Sequence, residues 1–361
     1  MSRLRMAVIG VGHLGKEHAR ILAGLPEVDL VGVADVNWEQ AQAVGRRAGA
    51  KVFSDHQQLI PQVDAAVIAV PTSHHHAVAL DFLRQGIPLL IEKPLALNLA
   101  QADELVQVAQ RSQTVLQVGH IERFNPAFED LANRPLQPKL ILGERLGPFT
   151  GRSADIGVVL DLMIHDLDVM LALVQAPVQT VQAVGLSVFG GKEDVSQARL
   201  TFANGCVATV TASRASQVSQ RRMQIWGPEG FALLDFAARR LTLIQPSEHV
   251  RQAGLDPAQL DPASRAMLKD HLFTRHLQVL DLAPPGGDSL TAELKHFIRC
   301  VTTGVKPRVS GEEGRNAIAL ATRILESLQA HSWRGPAGVG FSDWPSPMGY
   351  LFSPFEAKSA A

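Results

Sequence analysis

A short apolar run at residues 6–9 feeds straight into Gly10-Val-Gly12-His13-Leu14-Gly15, and this order constrains the chain more than any other feature. A strand that hands over to a helix through such a turn leaves unpaired N–H groups aimed at an anion. The first glycine permits the tight turn, the second lets the main chain approach a pyrophosphate, and the third lets the helix pack on the strand. Glycine triplets arise by chance, so the pattern alone is weak. A second apolar run, residues 30–34, ends in Asp35, roughly the 20-residue distance at which a carboxylate takes up an adenosine ribose diol. The two features together predict a dinucleotide site. A 2′-phosphate would be repelled by Asp35, and Val36, Asn37 and Trp38 bring no cation to offset it, so NAD is expected rather than NADP. Arg46 and Arg47 fall further along, where they cover a solvated helix face.

With 361 residues the chain exceeds one ordinary core, and two domains are expected. Lys plus Arg (34) balances Asp plus Glu (35), which leaves no overall field to draw nucleic acid or an anionic membrane. Cys206 and Cys300 cannot build a disulfide framework or a thiolate cage. The chain opens directly on its first strand, and no apolar run reaches membrane-spanning length; the expectation is a cytoplasmic protein with no membrane partner. His74, His75 and His76 are adjacent, so their side chains diverge on a helix and do not converge on one ion. No metal is expected, and one of the three is expected to face the cleft.

Up to about His120, strand-like runs at 6–9, 30–34, 65–70, 89–91 and 115–118 alternate with helical segments such as 74–85 and 98–111, the latter opening on an Asn98 cap. That is the βαβ pattern of a parallel sheet covered on both faces, with ligands at the carboxyl ends of the strands. Beyond Arg123 the pattern changes. A helix-period stretch at 157–174 precedes β-rich runs at 178–189, 198–202, 206–211, 223–226, 231–236 and 241–244, with turns at Asn204-Gly205 and Gly227–Gly230. Such meanders imply an antiparallel sheet. Residues 290–303 and 312–330 read as helices expected near the domain junction. The fold class is therefore α/β: residues 1–122 a Rossmann dinucleotide-binding domain, 123–331 a second α/β domain, and 332–361 an extended tail whose aromatics dock on the surface or on a neighbouring subunit.

Pro71-Thr72 and Glu92-Lys93-Pro94 each follow a strand of the first sheet, at the edge where a nicotinamide arrives. A lysine there, partly out of water, stabilises an alkoxide or exchanges its proton; paired with Glu92 at the surface it would do neither. Asp161, His165 and Asp168 are spaced i, i+4, i+7 and share one face of a regular helix. The intervening leucines and isoleucine bury that helix, so its polar face needs partners. An imidazole beside a carboxylate keeps a defined tautomer and becomes a better base.

The series Gly10-x-Gly12-x-x-Gly15, Asp35, Pro71-Thr-Ser-His-His75, Glu92-Lys93-Pro94 and Asp161-x-x-x-His165 resembles the Gfo/Idh/MocA oxidoreductases, the glucose–fructose oxidoreductase and inositol dehydrogenase family, over about residues 5–330. The resemblance implies a Rossmann domain and a C-terminal α/β domain with an open, mostly antiparallel sheet that often pairs subunits, hence a homo-oligomer, dimer or tetramer. It implies Lys93, Asp161 and His165 as catalytic residues. NAD would be held by Gly10, Gly12, His13, Leu14, Gly15, Asp35, Pro71, Thr72, His75, Glu92 and Pro94. The chain departs from the family around Asp161, with only Gly157 before it and Met163 two residues after, where relatives carry a glycine cluster and a glycine. Residues 117–126 resemble the branch acting on UDP-N-acetylhexosamines, which implies Arg123 and Asn125 as substrate contacts. Arg145 and Arg152 either supply the forked donors a diphosphate needs or are ordinary surface residues. The implied reaction is hydride transfer to NAD from a secondary alcohol of a sugar, C3 of a UDP-N-acetylhexosamine first. Alternatives are a free polyol or pyranose as substrate and, from another class, a non-catalytic NAD-binding sensor.

Overall fold

The structure, a computed structural model, describes residues 3–151, 156–189, 192–331 and 353–354. Arg152 and nearly all of the expected tail lie outside the described residues. In chain order the first elements are β1 (Leu4–Ile9), α1 (Gly15–Gly24), β2 (Val28–Ala34), α2 (Trp38–Ala48), β3 (Lys51–Phe53), β4 (Ala65–Ile68), α3 (Thr72–Leu83), β5 (Leu89–Glu92), α4 (Leu99–Arg111) and β6 (Leu116–Gly119). Then come α5 (Pro126–Ala132), β7 (Leu140–Pro148), α6 (Ile164–Val174), β8 (Val178–Ser187), β9 (Val195–Phe202), β10 (Val207–Ser213), β11 (Ala215–Gly227), β12 (Gly230–Asp235) and β13 (Arg240–Pro246). The chain closes with α7 (Glu248–Ala253), α8 (Pro262–His271), β14 (Leu277–Leu282), α9 (Ser289–Thr303), α10 (Gly311–Ala330) and β15 (Ser353–Pro354). By density of contacts these form two units, neither continuous in sequence: Met1–Phe124 with Ser153–Asp168 and Gly287–Leu325, and Asn125–Arg152 with Val169–Gly286 and Glu326–Ala361.

The first unit is built on a six-stranded, wholly parallel sheet in the order β3-β2-β1-β4-β5-β6. Strands β4, β5 and β6 are buried at every residue, as a sheet covered on both faces requires, which is why they read in sequence as apolar runs rather than alternations. Chain order reverses at β1, which lies between β2 and β4, and a ligand crevice opens at such a switch point. One core joins Met6, Val8 and Val11 with Ala19 and Leu22 of α1, Val33 of β2, and Leu290, Leu294 and Phe297 of α9. A helix from late in the chain therefore completes the hydrophobic core of the first βαβ unit. Its N-terminus is fixed by Asp288, which accepts from the Thr291 N–H at 3.0 Å.

The second unit is a nine-stranded sheet in the order β14-β13-β12-β11-β7-β10-β9-β8-β15, antiparallel at every pairing except β7 with β10. Both expected turns are present. Gly205 has φ +82°, and Gly230 has φ +130° with so little room that a β-carbon would stand 2.2 Å from the Ile244 carbonyl oxygen. Strand periodicity sends Ile141, Ala208, Val210, Met223, Ile225, Ala232 and Leu241 to a fully buried face. Pair register places Val207, Leu140, Trp226, Phe231, Ile244 and Val279 side by side on the other face, where Leu140 is 39% and Val279 44% exposed. Among the described residues no helix is long and apolar enough to cross a membrane.

Candidate active site

At the nucleotide end each glycine has a separate geometric reason. Gly10 has φ +82°, and a β-carbon there would meet the Val70 nitrogen at 2.6 Å; at Gly15 it would stand 1.8 Å from the Gly10 carbonyl oxygen. Gly12 faces open space, with only Gln40 Nε2 at 3.9 Å, so its main chain is approachable. Helix α1 begins behind exposed His13 and Leu14, and Leu14 provides no side-chain cap; the Lys16 and Glu17 N–H groups turn back to the Gly12 and Leu14 carbonyl oxygens, so what the turn offers an anion is the positive end of the helix. Asp35 is fixed at the end of β2: Oδ2 accepts from Val11 N–H and Oδ1 from Asn37 N–H, both at 2.8 Å. Each oxygen keeps a lone pair for a further donor. These residues fit a dinucleotide, the turn taking its pyrophosphate and Asp35 a ribose diol.

At the ends of β4 and β5 the side chains turn inward. Pro71 precedes α3 and Thr72 is buried in its first turn. His75 is enclosed, with Nδ1 2.9 Å from the Pro94 carbonyl oxygen and Nε2 2.9 Å from that of Val70. Burial lowers its pKa against the pull of those carbonyls. His75 thus clamps the two loops together, while His76 pairs with Glu104 at 2.8 Å. Among the described residues no cluster of three metal-ligating side chains exists. Glu92 does not pair with the Lys93 ammonium at the surface. It is buried, with Oε1 2.6 Å from His18 Nε2 and Oε2 3.3 Å from the Lys93 backbone nitrogen. Gly119 leaves it space, since a β-carbon there would come within 3.0 Å of Oε2. Burial pushes the Glu92 carboxyl up, but the His18 hydrogen bond and the charges of His18 and Lys93 hold it below its ordinary value.

Lys93, joined to Pro94 by a cis peptide, sends its Nζ to Asp161, donating to the backbone oxygen at 2.8 Å and to Oδ1 at 3.2 Å. Both side chains keep limited access to solvent, 14% and 18%. The helix carrying Asp161 is not regular, because Val159–Met163 form a wide π-helical turn before α6. The polar groups therefore do not line one face as a regular helix would set them. Asp161 meets Lys93, whereas Asp168 is fully buried with Oδ1 3.4 Å from Arg123 Nη1. The His165 ring lies edge-on to His120, with centroids 6.3 Å apart. Burial raises the Asp168 carboxyl to about 7 despite Arg123. Burial, and then the charges of Lys93 and Arg123, depress His120 to about 3.

His120 and His18 are not among the residues that the sequence singles out. His120 immediately follows β6, so the rule that ligands gather at the carboxyl ends of parallel strands was the available signal. Of the expected substrate contacts, Arg123, Asn125 and Arg145 are engaged within the fold. Arg123 also reaches the Arg308 carbonyl at 3.3 Å and Glu313 at 3.6 Å. Asn125 caps α5 and donates to the Phe236 carbonyl at 3.0 Å, and Arg145 is buried with its guanidinium 5.7 Å from the Phe236 ring centroid.

Residues 4–120 match the family described as "Oxidoreductase family, NAD-binding Rossmann fold", and residues 134–233 match the "GFO/IDH/MocA C-terminal domain". Fold and site together define an NAD-binding oxidoreductase. UDP-N-acetylglucosamine 3-dehydrogenase of Acidithiobacillus ferrooxidans is 36% identical over 331 residues, covering 91% of this chain and 99% of the relative. A solved structure of that enzyme superposes with a TM-score of 0.81 at 34% identity, covering 91% of this chain and 99% of the other. Myo-inositol 2-dehydrogenase of Thermotoga maritima is 26% identical over 346 residues, covering 90% and 96%. The chain belongs to the Gfo/Idh/MocA family.

Proposed function

We propose that this protein is an NAD-dependent dehydrogenase that oxidises a secondary hydroxyl of a sugar, with C3 of a UDP-N-acetylhexosamine as the favoured target. The observation that carries the reading is the Lys93–Asp161 pair at the carboxyl end of β5, with His165 one helical turn beyond Asp161. The similarity to a UDP-N-acetylglucosamine 3-dehydrogenase over nearly the whole chain supports the substrate class.

Gly10, Gly12, His13, Leu14 and Gly15 would hold the pyrophosphate of NAD and Asp35 its ribose, with Pro71, Thr72, His75, Glu92 and Pro94 shaping the far end. NAD supplies the carbon that accepts hydride. Asp161 holds the Lys93 ammonium through two contacts, so its remaining N–H bond can meet an alcohol oxygen and stabilise the charge that develops there. His165 takes the hydroxyl proton, or Lys93 does so directly when neutral; either leaves one proton on the protein for each hydride transferred. Arg123, Asn125, Arg145 and Arg152 remain proposed contributors to the nucleotide-sugar site. The reading assigns residues 1–122 to NAD binding and 123–331 to substrate binding and self-association through the open apolar sheet face. It includes a cytoplasmic setting, which the two free, buried thiols support.

The test is NADH formation by purified protein given NAD with UDP-N-acetylglucosamine, and separately with inositols and free pyranoses. Turnover with the nucleotide sugar and little with the others is expected. Reduction by free polyols alone would favour the second reading, which the inositol dehydrogenase relative supports. No reduction by any sugar would point to a non-catalytic NAD-binding protein. Lys93→Ala should keep NADH affinity and lose turnover by about a hundredfold or more.

A further inference from the structure

Lys93 is held from more sides than its ammonium contacts alone require. Its backbone N–H lies 3.3 Å from Glu92 Oε2, and the carbonyl oxygen of Pro94, the next residue, lies 2.9 Å from His75 Nδ1. The other Glu92 oxygen, Oε1, is 2.6 Å from Nε2 of His18, a fully buried side chain in the first turn of α1. A carboxylate only accepts, so the imidazole donates from Nε2. Glu92 therefore ties helix α1 to the main chain of Lys93. Room for this tie is made across the sheet, where Gly119 pairs with Glu92 in the β5–β6 register. A β-carbon at Gly119 would stand 3.0 Å from Oε2 and 3.2 Å from Cδ and would press on the carboxylate. Nδ1 of His18 has no hydrogen-bond partner among the described residues, so Glu92 is what engages this ring. A buried pair of this kind is weak evidence of stability, because apolar residues of similar volume often fill such a site as well. What the pair fixes is the better guide to its role. A lysine stem is long and flexible, and misplacing a reacting group by about 1 Å costs roughly a hundredfold in rate.

We propose that His18 and Glu92 are a positioning pair: His18 fixes the Glu92 carboxylate, the carboxylate fixes the Lys93 main chain, and the lysine is thereby aimed so that Nζ meets both Asp161 and the alcohol oxygen. Neither group is asked to touch the alcohol or to change its protonation state during turnover. The inference rests on the dehydrogenase reading. The arrangement also gives the pyrophosphate turn and the lysine a common support, since α1 carries the glycine turn at its head and His18 in its first turn.

His18→Leu removes the donor and keeps an apolar side chain in an enclosed place. With NADH affinity and the KM for sugar little changed, kcat should fall about ten- to a hundredfold. His18→Gln carries an amide N–H of similar reach and should recover most of that loss. Glu92→Asp keeps the charge but is one methylene too short to span both partners; it should behave like His18→Leu and replaces it should that variant not fold. The discriminating measurement is a double-variant cycle. In a Lys93→Ala background neither change should lower kcat further, because no ammonium is left to misplace. A merely structural pair would lower kcat by the same factor in both backgrounds, in step with the melting temperature, and that result would overturn the proposal. So would wild-type kcat in His18→Leu or Glu92→Asp. A readout independent of turnover is the Lys93 ¹³Cε NMR signal in protein without sugar, assigned by its loss in Lys93→Ala. Asp161→Asn should shift this signal in the wild-type background and much less in His18→Leu or Glu92→Asp, where Nζ is no longer aimed at that residue. Equal shifts in all backgrounds would also overturn the positioning role. If the wild type reduces no NAD with any sugar, the dehydrogenase reading fails, and the NMR result alone decides whether the pair places Lys93.

Discussion

His120 and Asp168 are both buried and both titrate away from their ordinary ranges, in opposite senses. His120 falls from 6.5 to about 3, so between those values the unfolded chain binds more protons than the folded one, and stability is lost as pH drops through the window. Asp168 rises from 3.8 to about 7, so the folded state keeps a proton that the unfolded chain gives up, and stability is lost as pH rises through that window. The two effects oppose each other where the windows overlap. Urea unfolding across the overlap should therefore show stability rising less steeply with pH in His120→Gln and more steeply in Asp168→Asn. Each change of slope is at most about 1.4 kcal/mol per pH unit. Parallel profiles for both variants and the wild type would contradict the burial of these groups. At this scale the sequence exposes what is local and hides what is paired at a distance. Gly10, Gly12, Gly15 and Asp35 are legible because turn geometry and charge act within one βαβ unit. The His18–Glu92 pair, 74 residues apart in sequence, is not. Lys93 and Asp161 are each legible as candidates, but their mutual contact is not.

Helix α9 belongs to the sheet of the first unit although more than 250 residues separate it from β1. Its Phe297 is fully buried in the same core as Met6 and Leu22. Phe297→Ala should cost about 3–5 kcal/mol of unfolding free energy in denaturant melts, with NADH affinity lost in step because the core it opens supports the phosphate turn. A variant of wild-type stability would remove α9 from that core. The amphipathic period of α9 is visible in sequence, but its docking surface is a tertiary fact. Strand β7 escaped notice for a different reason. Its inward positions are Ile141, Gly143 and Arg145, so two of three break the apolar alternation. Gly143 is small because a β-carbon there would lie 2.9 Å from Met170 Cε, and Arg145 is buried over Phe236. Strand β3, three residues long, is too short to show any period. The π-helical turn at Val159–Met163 is likewise silent in sequence, and it is what separates Asp161 from the direction of Asp168.

Taken as a whole, the chain carries nearly balanced charge and presents a row of six apolar side chains across one sheet face. A contiguous apolar patch marks an association surface, and a net charge of −1 does little to keep copies apart. Light scattering after size exclusion should give a multiple of the single-chain mass, and Leu140→Glu, at an exposed position in the row, should shift it to that of one chain. A wild-type monomer would refute assembly through this face. The α/β class, the parallel sheet and the antiparallel meander were all readable from strand spacing and turn residues, whereas the single parallel pairing of β7 with β10 was not, since pairing direction there depends on which strands meet.

The two ends of the dinucleotide site differ in their tolerance of change. At Gly10 and at Gly15 a single methyl group collides with backbone, so both ends of this turn are frozen against drift. Just past Asp35, Val36 is 95% exposed and touches almost nothing. A lineage carrying this fold can therefore trade one coenzyme for its phosphorylated counterpart by altering two or three surface positions beside β2, while the clasp on the shared diphosphate passes unaltered from ancestor to descendant.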